Sequence, residues 1–179
     1  MSKAPRFRLY MAISLDGFIA SPDGGVKWLE PYDPYSVGFG EFLAEVGSVV
    51  MGRKSFEQML SFGPWPYEGK RTVVMTRSSF PVTTPQTEVT SEPVDIVADR
   101  LARETTNGDV WIFGGGEIAR AFLNQRRCNT LELCVVPVVV GDGIALFGPG
   151  TQPRLLRLTR AKHFDSGLVC LDYDVLAAD

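Results

Sequence analysis

Short apolar runs alternate with one-faced helical patterns from the start of the chain to about residue 125, and almost nothing helical follows. Phe7 to Leu15 reads as a first strand, with turn chemistry in Asp16-Gly17 and Ser21-Pro22-Asp23-Gly24-Gly25. A short helix is expected from about Val37 to Val46, ended by Gly47. Ser48 to Met51 is short and apolar, as suits a strand buried on both faces. Gly52-Arg53-Lys54-Ser55 then opens a helix through Leu60 that Pro64-Trp65-Pro66 breaks, and Arg71 to Thr76 is another strand. Val94, Val97, Ala98, Leu101 and Ala102 recur with the spacing of a one-faced helix. Asp109 to Phe113 reads as a strand, Gly114-Gly115-Gly116 as a turn and Glu117 to Asn124 as a helix. Thr130 to Val140 is a strand bent at Pro137, and Leu155 to Phe164 and Leu168 to Val175 flank the hairpin signal Asp165-Ser166-Gly167. Alternation calls for parallel strands with helices on both faces, and the tail for antiparallel strands added at one side. A mixed α/β sheet in one domain, residues 1–179, is the expected architecture.

At 179 residues such a domain buries roughly 70% of the surface its unfolded chain exposes, so neither metal nor disulfide is needed to hold it. The formal net charge of −3 comes without a clustered basic patch, which argues against a nucleic-acid or membrane surface. The longest apolar stretch, Leu131 to Val140, is interrupted by Glu132 and Pro137 and is too short to cross a bilayer. Met1 to Tyr10 lacks the features of a signal peptide, so the expected location is cytoplasmic. Cys128, Cys134 and Cys170 are odd in number and form no C-x-x-C pair, which argues against a disulfide framework or a zinc site. Cys134 and Cys170 read as small core residues. His163 is the one histidine, so hydrolytic triads and histidine metal sites lack their parts.

Three polar clusters follow three separate strands. Gly114-Gly115-Gly116-Glu117 lies between a strand and a helix, where glycines admit a phosphate to the backbone and a helix start offers free N–H groups. The same residues also make an ordinary tight turn, and they are not a G-x-G-x-x-G fingerprint. Gly52-Arg53-Lys54-Ser55 places two cations and a hydroxyl in the same setting. Gly47 and Gly52 have the spacing of a P-loop, but Arg53 stands where that motif requires lysine. Thr76-Arg77-Ser78 ends the next strand. Ligands of open α/β sheets bind beyond such strand ends.

Taken in order, Ser14-Leu15-Asp16-Gly17-Phe18-Ile19-Ala20, Met51-Gly52-Arg53-Lys54-Ser55-Phe56-Glu57, Val73-Val74-Met75-Thr76-Arg77-Ser78, Gly114-Gly115-Gly116-Glu117 and Pro137-Val138-Val139-Val140-Gly141-Asp142-Gly143 with Leu146-Phe147 resemble the reductase domain of bacterial riboflavin biosynthesis. The match is to stand-alone relatives of that domain within the dihydrofolate reductase superfamily. The resemblance implies a dihydrofolate reductase-like three-layer α/β/α sandwich around a mixed sheet. It implies NADPH across the sheet's C-terminal edge. Gly52, Arg53, Lys54 and Ser55 would hold the pyrophosphate and adenosine side, and Thr76, Arg77 and Ser78 the 2′-phosphate and adenine. Gly114, Gly115, Gly116, Glu117 and Ile118 would lie against the pyrophosphate, with the Ala12 backbone near the nicotinamide. A small heterocycle, pterin- or aminopyrimidine-like, would stack near Asp16, Trp28 and Phe56. The activity implied resembles that of 5-amino-6-(5-phosphoribosylamino)uracil reductase. Asn129-Thr130 stand where many relatives carry Asp-Glu, Phe18 stands where a basic residue is usual, and Asp33 and Glu41 both compete as the first-helix carboxylate. A non-catalytic nucleotide-binding protein and a true dihydrofolate reductase are the alternatives. Relatives of this kind commonly pair, so a homodimer through the late strands is expected.

Overall fold

The computed structural model describes residues 4–82 and 84–177. The elements run β1 (Phe7–Ser14), β2 (Phe18–Ala20), α1 (Phe39–Ala44), β3 (Val46–Gly52), α2 (Arg53–Ser61), β4 (Arg71–Met75), β5 (Thr87–Thr90), α3 (Val94–Glu104), β6 (Asp109–Gly114), α4 (Gly116–Asn124), β7 (Thr130–Val136), β8 (Ile144–Ala145), β9 (Leu156–His163) and β10 (Val169–Val175). Two 3-10 turns, Lys27–Leu29 and Pro34–Val37, precede α1. Eight strands form one sheet in the order β5-β4-β3-β6-β1-β7-β10-β9. β1 pairs in parallel with β6 and β7, and β3 in parallel with β4 and β6. β10 runs antiparallel to both β7 and β9. The mixed sheet expected from alternation followed by a β-rich tail is therefore the observed one.

Alternation along each strand sorts side chains into two cores. Val50 and Val73 pack with Phe7, Leu9 and Ile112 beneath α3 and α4, which contribute Leu101 and Phe122. Their strand neighbours Val49 and Val74 turn the other way, onto Trp111, Phe42 of α1 and Phe56 of α2. Burial on both faces explains why β3 and β4 carry Val49-Val50-Met51 and Val73-Val74-Met75 in succession rather than alternating with polar residues.

The structure changes several expectations. The strand expected to reach Val140 ends at Val136, and 137–140 becomes a loop in which Val138 N–H turns back onto the Val136 carbonyl. β7 and β10 pair Cys134 directly with Cys170, Cα atoms 4.1 Å apart and sulfurs bonded. This corrects the reading of unlinked cysteines: an odd count excludes nothing about one pair, and strand partners cannot be read from spacing. Cys128 is the buried free thiol, and burial raises its pKa to about 12.

Candidate functional site

β4, β3, β6 and β1 are parallel neighbours, so their C-terminal ends share one edge of the sheet. The register sets Gly52 opposite Met75, and Arg53 and Thr76 therefore leave the sheet side by side. Met51 pairs with Gly114 on the other side. A Cβ on Gly52 would stand 3.3 Å from Ile118 Cγ1, and one on Gly115 would stand 3.6 Å from Ser55 Oγ and 3.9 Å from Ile19 Cδ1. The Gly52–Ser55 and Gly114–Ile118 clusters are thus brought into contact, with the Thr76–Ser78 turn beside the first of them. Gly114 has a φ of 112°, a left-handed backbone that a Cβ would strain, and that Cβ would also press within 2.6 Å of Met11 Cε.

α2 begins on Gly52 and α4 on Gly115, and neither start carries a side-chain cap. The two helices lie on opposite faces of the sheet but follow neighbouring strands, so their leading N–H groups face the same edge without a partner among the described residues. Lys54 and Glu117 are exposed there. Arg53 lies on the ring of Phe80, with Cζ 4.9 Å from its centroid, and its Nε donates to Glu57 Oε1 at 2.6 Å. Ser78 N–H closes a turn on Thr76 Oγ1, leaving Arg77 exposed and without an ion pair among the described residues. Ala12, partly buried on β1, lies opposite Cys134 of β7.

Asp16 serves the backbone. Its Oδ1 accepts from Ser14 Oγ at 2.6 Å and from Val140 N at 3.1 Å, and its Oδ2 from Gly141 N at 2.7 Å. The carboxylate latches the β1–β2 turn to loop 137–143, whose far end supplies β8 to pair with β2. Those bonds, that from Ser14 first, hold its pKa down at about 2. A depressed carboxylate stabilises the fold above its unfolded pKa and stops doing so as pH falls through the folded value. NMR titration of the Asp16 carboxyl should accordingly give a midpoint near 2, with the Val140 and Gly141 amides exchanging faster only below it. A midpoint of about 4, the ordinary aspartate value, would show that the latch is not formed.

Phe56 is 1% exposed and packed between Trp65 and Phe80, with centroids 5.1 and 5.8 Å away. No face of its ring is open to a substrate, which corrects its assignment: helical spacing places it on α2 without saying which side of α2 meets the sheet. Trp28 packs partly buried beside Val37 and Cys134, and its Nε1 is a buried donor with no partner. Of the two competing carboxylates, Asp33 is spent on the Pro34–Val37 turn, where it accepts from Tyr35 N at 3.0 Å. Glu41 instead lines a groove of about 680 Å³ between α1 and the β1–β7–β10 surface. Tyr10 lies in the same groove, stacked 4.3 Å from Phe42, and burial, then Glu132 and Asp172, raise its pKa to about 12. Below Tyr10, Arg8 donates to both Glu132 oxygens at 2.6 Å and also bonds Glu45. Burial alone would lower the Arg8 pKa, and Glu132 and Glu45 more than reverse that. Sequence reasoning missed Phe80, Glu57 and Arg8; for Glu57 the four-residue step from Arg53 was a usable signal.

Across the site, Gln58 Nε2 donates to Gly24 O at 2.7 Å, tying α2 to the turn after β2.

Comparison with known proteins agrees with this fold. Residues 5–170 match the model of the RibD C-terminal domain. YwjB, an uncharacterised protein of Bacillus subtilis, is 33% identical over 158 residues, covering 87% of this chain and 90% of its own. A Shewanella protein ascribed to riboflavin biosynthesis superposes with a TM-score of 0.83 at 26% identity, covering 96% of this chain and 99% of its own. Dihydrofolate reductase from Enterococcus faecalis, solved with NADP(H), shares the fold at a TM-score of 0.70 and 16% identity, with 95% and 96% covered. Since the match takes in nearly all of the sequence, from β1 into β10, the chain belongs to the RibD C-terminal domain family.

Proposed function

We propose that this protein is an NADPH-dependent reductase of a small heterocyclic molecule, pterin- or aminopyrimidine-like. The observation that carries the reading is the pair of uncapped helix starts, α2 and α4, on adjacent strands of one sheet edge. Two sets of free N–H groups and two positive dipole ends meeting there suit a diphosphate. Gly52, Lys54 and Ser55 with Gly114, Gly115, Gly116, Glu117 and Ile118 form the diphosphate cradle. Arg53, Thr76, Arg77 and Ser78 flank the adenosine end, and the Ala12 backbone approaches the nicotinamide. Bound there, NADPH supplies a hydride. The protein's own share is to hold the substrate ring near Trp28, whose Nε1 is an unspent donor, with Glu41 as the carboxylate open to the neighbouring groove. Asp16 borders this space and positions its loops.

The test is cofactor preference. Calorimetry should show NADPH binding more tightly than NADH, and added salt should weaken NADPH binding. Arg77→Ala should cost NADPH about 1.5–3 kcal/mol, roughly ten- to a hundred-fold in affinity, while NADH binding barely changes. Equal wild-type affinity for both would sink the reading. A nucleotide-binding protein without catalysis would bind NADPH yet never oxidise it steadily with any reducible pterin, pyrimidine or quinone. A true dihydrofolate reductase would turn over dihydrofolate in that same assay.

A homodimer belongs to this reading, in a cytoplasmic setting where NADPH is spent on biosynthesis. It is supported by β9, exposed along its whole length at the sheet edge, with Leu156 39% and Leu158 52% exposed. Leu158 and Leu156 lie beside Tyr173 and Val175 of β10, so the apolar strip is continuous. Light scattering at micromolar concentration should give twice the chain mass of 19.7 kDa, and a monomer mass would remove this part of the reading.

A further inference from the structure

We infer that Phe80 is a positioning residue for Arg53, setting the guanidinium edge that recognises a phosphate on the adenosine 2′-oxygen. The inference rests on the NADPH reading above and adds to it a residue outside every cluster the sequence marked. Arg53 opens α2, where a long flexible side chain would normally sample many rotamers. Here two contacts restrict it. Its Nε is held by Glu57 Oε1 at 2.6 Å, one helical turn on, and one face of the guanidinium lies over Phe80 at 4.9 Å. Glu57 occupies the Nε edge, so the edge made by Nη1 and Nη2 has no protein partner among the described residues.

Phe80 is in turn anchored from below. Its ring is 5.8 Å from that of Phe56, which is 5.1 Å from that of Trp65. Both of those residues are buried core. A chain of tilted aromatic rings therefore runs from the core to the surface and ends under a cation. Arg53 leaves the sheet beside the turn that carries Arg77, because Gly52 and Met75 are register partners, and its guanidinium lies over Phe80 just after that turn. Two guanidinium groups, one pre-oriented and one exposed without an ion pair among the described residues, suit a terminal phosphate dianion, which takes parallel charge-assisted bonds. The diphosphate shared by all such cofactors lies at the glycine clusters and should not depend on Phe80.

The test uses the intact protein with two probes, adenosine 2′,5′-bisphosphate and adenosine 5′-diphosphate, measured by calorimetry. Phe80→Leu keeps apolar bulk against Phe56 and removes the π face. It should weaken the 2′,5′-bisphosphate by about two- to fivefold, the scale of an exposed cation–π contact, and leave the 5′-diphosphate unchanged. Phe80→Tyr should restore the wild-type ratio. In an Arg53→Met background Phe80→Leu should have no further effect, because its influence runs through Arg53. Phe80→Leu binding both probes as the wild type does, weakening both alike, or acting equally in the Arg53→Met background would each overturn this inference alone. Wild-type protein that binds neither probe would overturn the cofactor reading and this inference with it.

Discussion

Glu132→Leu should destabilise the fold by about 3 kcal/mol, the low end of what removing one partner of a buried ion pair costs. Arg8 is 7% exposed and Glu132 9%, so the guanidinium cannot turn to water when its main partner is lost. The low end applies because Glu45 and, at 3.4 Å, Asp109 remain beside it. Replacing both residues, Arg8→Met with Glu132→Leu, should restore most of the loss, since a packed apolar pair needs no desolvation of charge. Urea denaturation of the two variants checks this. A single variant within 1 kcal/mol of wild type, or a double variant worse than the single, would show that the pair is not a closed unit.

Gly108→Ala should cost about 2–5 kcal/mol. Gly108 has a φ of +84°, and its Cβ would stand 2.5 Å from Glu45 O and 2.8 Å from Gly47 N. The left-handed backbone costs an alanine about 1–2 kcal/mol, and overpacking adds about 1–3. The obstacles are backbone atoms, so a rotamer change cannot relieve them. The same crossing constrains Gly47, whose Cβ would meet Asn107 O at 1.8 Å. Thermal unfolding that leaves Gly108→Ala as stable as wild type would mean that the β3 and β6 entries do not cross this closely.

What the sequence makes legible follows the length of each pattern. The α3 stripe of Val94, Val97, Ala98, Leu101 and Ala102 spans more than two turns, and the helix lies where the stripe puts it. β3 was legible from the short apolar run Ser48 to Met51, which is apolar on successive residues because both of its faces are covered. β2 and β8, three and two residues long, escape notice since each is a strand only through pairing with the other. β5, partly buried throughout, shows no sharp alternation to read. Within the site, the cations and glycines were legible because strand ends followed by helix starts carry a local signature. Phe80 was not, since its role comes from an arginine 27 positions earlier that only the β3–β4 register brings near. Arg8 and Glu132 are 124 residues apart, and no local pattern connects them. Phe56 was misread for the same reason in reverse: proximity in sequence to a ligand cluster says nothing about which way a ring turns.

The bond from Gln58 to Gly24 has a mechanical consequence. α2 is nine residues long, a stiff rod of about 13 Å, with Arg53 to Ser55 at one end and Gln58 along its length. Movement of the turn at 21–25 must break this bond or swing the whole rod. The bond thus gears the turn after β2 to the cationic start of α2, so that strain applied at either is felt at both.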